Sequence, residues 1–242
     1  TSTVTLTAGG AITQTGPVSA TTLTASTRNG TAQNITLDGG ANTVAASDLQ
    51  TLDALGTAAV AGTIRFADTD GYDVVRINTL DDAILDNGGA VSQSGPIDAA
   101  GLNLQGSGAY TLNDGTNDVA TISALTSNSI EYWDAADLVV GTVNGITGLD
   151  SGGNPIILVI GGNLTGGPVD GSSLDLDVTG NIGDLDDGLL VRDPAPTYFT
   201  TLVSSLDVTL NAPGAEAAID NSGALTIADL IPDAGGTASI LV

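Results

Sequence analysis

Short runs along most of the chain alternate apolar residues with polar or small ones: TVTLT, AITQ, TTLTA, NITL and GTIRFA. Period two is the period of a half-buried strand, because successive side chains leave a strand on opposite faces. Between the runs stand Gly-Gly, Asn-Gly, Asp-Gly and Gly-Pro, the residues that turn a chain. Helical periodicity is poor throughout, and the usual helix formers Lys, Met and Glu are absent or nearly so. One segment, SDLQTLDALGTAA from Ser47 to Ala59, is expected to form a short helix or turn. The apolar run Pro155–Ile160 has the length of a buried strand and falls far short of the roughly 20 residues that span a bilayer.

Longer repetition overlies this alternation. GGAITQTGPVSA starts at Gly9, and GGAVSQSGPIDA starts 79 residues later at Gly88. A weaker copy, GGNLTGGPVDGSSL, begins at Gly161. ITLDGGANTVA (Ile35 to Ala45) returns as YTLNDGTNDVA (Tyr110 to Ala120), an offset of 75. IRFADTDGYDVVRIN (Ile64 to Asn78) returns loosely as IEYWDAADLVVGTVN (Ile130 to Asn144), an offset of 66. Shrinking offsets mean that turns change length while strands persist, which is how stacked repeats tolerate insertion.

A repeat of about 75 residues holding about four windings gives about 19 residues per winding. At about 4.8 Å per level, 242 residues predict a rod about 60 Å long. The expected fold is therefore all-β, a right-handed parallel β-helix (β-solenoid) with short irregular or helical excursions, in one domain over residues 1–242. In such a stack the repeated phrase is conserved in kind because inward residues must match the level beneath. Leu189 to Val203 breaks the pattern with two prolines and two aromatics, and residues 189–242 read as less regular.

Composition narrows the function. Apolar residues make up 41%, but aromatics only 3%, so the interior is expected to be thin and aliphatic. Net charge is −24, with four Lys and Arg against 28 acids. That balance excludes nucleic acid as a partner, since phosphate binding needs clustered cations. No run is suited to membrane insertion. Mean hydropathy is positive (+0.26), which separates the chain from acidic disordered sequences. The first residue is Thr rather than Met, so the sequence reads as a processed chain or a piece of a longer one.

GGAITQTGPVSATTLTAS, NDVATISAL and LVVGTVNGITGL resemble the filamentous-haemagglutinin-type repeats of very large secreted bacterial exoproteins and adhesins, over roughly Thr3 to Ile182. The resemblance implies a right-handed parallel β-helix, export to the extracellular space or bacterial cell surface, and a role as a stalk or adhesive filament. The function expected on this basis is a structural segment or subunit of a fibre that mediates adhesion or builds extracellular (biofilm) matrix. Its partners would be copies of itself or adjacent repeats stacked end to end, with a carbohydrate or host surface as a further partner. The strand-like, uncharged stretches Thr1 to Thr7 and Ala238 to Val242 suit such stacking, and a self-assembling filament without an adhesive role is an alternative.

Reactive chemistry is sparse. His, Cys and Lys are absent, so a serine nucleophile has no base and no cofactor is implied. Asp68, Asp70 and Asp73 form one acidic group, and Asp184, Asp186 and Asp187 another. Both are metal candidates for non-specific Ca²⁺, although Gly71 and Thr79 fall at the wrong positions for an EF-hand. Solvated turn aspartates are the competing reading. A β-helical polysaccharide-cleaving enzyme is the enzymatic alternative, with Asp81, Asp82 and Asp98 as acids that stacking brings close. Tyr132, Trp133, Tyr198 and Phe199 are candidate partner contacts, against plain packing. The T-x-T runs at Thr3–Thr7 and Thr22–Thr24 are not maintained further along.

Overall fold

The computed structural model describes residues 2–183, 199–231 and 237–241, the last five as backbone only. Every regular element among them is a β-strand. The fold is all-β, and its long sheets are parallel. In the largest, Thr3 pairs with Thr22, Leu23 with Ser47, Ile35 with Ile64, Ile64 with Ala83, and Leu102 with Ile122. The steps between partners are 19, 24, 29, 19 and 20 residues, so the length of chain between paired strands varies while the pairing stays parallel. A second sheet of six strands is also parallel: Tyr110–Leu112, Ile130–Asp134, Ile156–Ile160, Ser173–Val178, Ser205–Leu210 and Thr226–Ile231.

Register places like on like. Leu37, Phe66, Leu85, Leu104, Ala124, Leu149 and Val169 stand in line across seven strands, all buried. Tyr132, Leu158, Leu176 and Val208 form a second buried column in the six-stranded sheet. With strands about 4.8 Å apart, each aliphatic side chain packs on the one before and the one after. Truncating a central member such as Leu104 to Ala is expected to cost about 2–5 kcal/mol. Phe66, Tyr72, Tyr110, Tyr132 and Phe199 sit inside this thin core, where Phe66 and Tyr72 meet edge to face with centroids 4.9 Å apart.

Three expectations need correction. Ser47–Ala59 forms no helix: Ala46–Leu52 is a strand whose inward positions are Ser47, Leu49 and Thr51. The leucine spacing imitates a helix because small polar residues occupy two of those inward sites. Beyond it the chain turns at Gly56 (φ 72°), where Asp53 Oδ1 accepts from Thr57 N at 2.8 Å, and Leu52 bridges antiparallel to Ala59. Nor do the repeated phrases stack on one another. Ile12 pairs with Ile35, whereas Val91 bridges to Tyr110. Ile35–Leu37 and Ile64–Asp68 belong to the large sheet, but their counterparts Tyr110–Leu112 and Ile130–Asp134 belong to the six-stranded one. Finally, GTVNGITGL contains an antiparallel hairpin, with Thr142 opposite Thr147 and Asn144-Gly145 at φ 53° and 78°. Positive φ at both central residues is what Asn-Gly supplies to a two-residue hairpin turn.

Candidate functional site

What the repeated phrases share is a buried polar cassette. Gln14 Nε2 donates to Asn42 Oδ1 and to the Gly16 carbonyl. Asn42 Oδ1 also accepts from Val18 N at 2.7 Å, and its Nδ2 donates to the carbonyls of Leu37 (2.9 Å) and Ala67 (2.8 Å). One strand on, Asp68 Oδ2 accepts from Val44 N and Oδ1 from Asp70 N. The second copy repeats each contact. Gln93 Nε2 donates to Asn117 Oδ1 and Gly95 O, and Asn117 Oδ1 accepts from Ile97 N at 2.8 Å. Asn117 Nδ2 donates to Leu112 O and Trp133 O. Asp134 Oδ2 accepts from Val119 N, and Oδ1 from Ala136 N.

Asn42, Asp68, Asn117 and Asp134 are all buried. At the corners, backbone groups leave the ladder and need other partners, and these side chains supply them. The glutamine, asparagine and aspartate come from the three repeated phrases at offsets 79, 75 and 66, so the sequence repetition is a repetition of this cassette. The third phrase, Gly161–Leu174, contains no glutamine and lacks it. Burial raises the Asp134 carboxyl above the ordinary aspartate value, against the lowering effect of the Tyr132 hydroxyl that donates to it at 2.6 Å.

The sequence-based candidates scatter. Asp68 is committed to backbone donors in the cassette, Asp70 is exposed, and Asp73 accepts from the hydroxyls of Ser92 and Ser94. They do not converge, and among the described residues no three acids form a metal-holding group. Asp184, Asp186, Asp187 and Tyr198 lie outside the described residues. Tyr132 and Phe199 are buried core residues and present no contact surface; Trp133, half-buried, faces outward beside Val159. Thr3 and Thr5 pair with Thr22 and Thr24, but Asp48 follows Thr24 and the threonine array ends.

Acids instead meet where the register puts them. Asp98 pairs with Asp118 and not with Asp81 or Asp82, since Asp82 faces Gly101. Asp175, Asp207 and Asp229 form an outward column on the six-stranded sheet. Asp98 and Asp175 are both raised above the ordinary aspartate value, first by partial burial and then by the facing carboxylates, Asp118 for the former and Asp207 and Asp177 for the latter. The period-two pattern identified these positions as outward; the pairing of one with another depends on turn lengths that it does not reveal. No protein-family model, no curated protein and no solved structure matches the chain.

Proposed function

We propose that the chain is a right-handed parallel β-helix that serves as a structural segment or subunit of a secreted or surface-displayed bacterial fibre, for adhesion or extracellular matrix building. The observation that carries this reading is the constant parallel register of the aliphatic columns while turn lengths vary. Such an arrangement extends in one direction without limit and transmits load through hydrogen bonds aligned with its long axis. The acidic exterior keeps neighbouring rods apart in solution and attracts divalent cations. On the strand Thr3–Ala8, Val4 and Leu6 are only half-buried and pack against the core from one side. A further repeat or a second copy seated there would complete their burial, which supports end-to-end stacking as the mode of assembly.

Small-angle scattering and electron microscopy of the purified chain test the reading. The expected particle is a rod about 4.8 Å long per level that grows by whole lengths as concentration rises. A compact globule at every concentration would overturn it. Binding of chain-coated beads to epithelial cells and to abiotic surfaces then separates an adhesive role from a purely structural one.

A further inference from the structure

One strip of the outer face is covered. Arg65, Ile84, Asn103 and Ser123 stand in one column by register, each beside a residue of the inward column Phe66, Leu85, Leu104 and Ala124. Alternation along the strand makes their column outward. Two places further on, the outward residues Asp86, Gln105 and Leu125 are exposed or half-buried. Ile84, Asn103 and Ser123 are nevertheless buried.

The antiparallel hairpin covers them. Ile122 pairs with Val140 and Ala124 with Leu149, so Gly141 to Gly148 leave the wall opposite the single residue Ser123. From there the hairpin runs back over the preceding strands. Val143 and Ile146 share one of its faces, and Val143 is buried. Gly101 makes room for Val143: an added Cβ there would stand 3.0 Å from its side chain. Ser123 Oγ donates to the Val143 carbonyl at 3.3 Å, and Asn103 Nδ2 donates to Ser123 Oγ at 2.8 Å. At the tip, Arg65 Nη2 donates to Asn144 Oδ1 at 2.7 Å, a contact across 79 residues of sequence.

In stacked repeats each level normally touches its neighbours, and stability is a sum of nearest-neighbour contributions. The hairpin departs from that rule. It leaves the wall one level beyond Ser123 and is bonded to Arg65, three levels before Ser123 and about 14 Å from it. Separating the levels between must first release the tip or peel Val143 from Gly101. At its base Gly148, at φ 82°, donates its N–H to the Gly141 carbonyl at 2.8 Å, and glycine at both ends gives the backbone freedom to swing. We infer that the hairpin is a strap with two positions. Closed, it couples the four strands beneath it into one opening unit. Open, it uncovers Ile84, Asn103 and Ser123 and lets the levels separate singly. The inference rests on the parallel levels and not on the fibre reading: a stack of this register with no part in a fibre would be strapped in the same way.

Native-state hydrogen exchange of the intact chain tests it, read at the amides of Ile84, Asn103 and Ser123, with Leu158 and Leu176 as controls. A closed strap gives the three amides one common dependence on urea. Asn144→Gly removes the tip amide and tolerates the positive φ, and Arg65→Ala removes the donor; the bond is exposed, so the fold is retained. Each variant should speed exchange at all three amides by about threefold to tenfold and leave the controls unchanged. The double variant should do no more than either single one. Gly101→Ala, which wedges the strap off the wall, should also speed all three. Separate urea dependences in the unaltered chain, unchanged exchange in both tip variants, acceleration confined to Ser123, or additive effects in the double variant would each overturn the inference.

Discussion

Asn117→Leu removes the centre of the second cassette while keeping the volume of the side chain. The leucine leaves no space for a replacement water, so two buried backbone groups lose their partners: the Ile97 N–H, now bonded at 2.8 Å, and the Trp133 carbonyl, also at 2.8 Å. Each unsatisfied buried group costs about 1–3 kcal/mol, which places the substitution at about 2–6 kcal/mol. That is a large share of the roughly 5–15 kcal/mol that holds a typical domain together. Urea unfolding followed by tryptophan fluorescence reads the loss directly, because Trp133 is the sole tryptophan and lies one level from Asn117. The control is Asn113→Ala, whose exposed amide reaches Glu131 alone among the described residues and should change stability by no more than about 0.5 kcal/mol. Equal midpoints for the two variants would refute the claim that the cassette fastens the corners.

Two further outcomes follow from close approach and from charge. At Gly89 an added Cβ would run into the Asp70 carbonyl, whereas at Gly10 the nearest atom is the end of the Gln33 side chain at 4.0 Å. Gly89→Ala should therefore destabilise by about 1–3 kcal/mol and Gly10→Ala should be nearly neutral, by the same urea assay, although the two occupy the same place in the repeated phrase. Asp98, Asp134 and Asp175 all have folded-state values raised above the unfolded one, so the folded chain holds these protons more tightly. Their contribution is fully present below the ordinary aspartate range, near pH 4, and is lost as pH rises through the raised values. Thermal melts should accordingly show this contribution as higher stability near pH 4 than near pH 8, with a shallower slope in Asp175→Asn; a slope unchanged or steeper in Asp175→Asn would contradict the sign.

Much of the architecture was legible because strand alternation and turn residues are local signals. The inward facing of the residues in the columns from Leu37 to Val169 and from Tyr132 to Val208 follows from them; which residue stands on which does not. The misreading at Ser47–Ala59 arose where Ser47 and Thr51 take inward places, so that hydrophobicity no longer marks the buried face. The phrases at Gly9 and Gly88 announced a repeat, yet what they preserve is Gln14 and Gln93 reaching Asn42 and Asn117, contacts spanning 28 and 24 residues. The Asp98–Asp118 pair was invisible for a related reason. Steps of 18 to 32 residues between parallel partners leave the register of any outward residue undetermined until the turns are counted in three dimensions.

Disulfide trapping tests the central claim most directly, since the chain has no native cysteine. Thr111, Glu131, Ile157, Asp175 and Asp207 are successive members of one outward column. Cysteine pairs at neighbouring members lie about 4.8 Å apart, inside the range that a disulfide bridges, and pairs one member further along lie about 9.6 Å apart, outside it. Stacked parallel levels require all four neighbouring pairs to cross-link and every skipped pair to stay open. Cross-linking of Thr111→Cys with Ile157→Cys, or failure of the neighbouring pairs, would contradict the account.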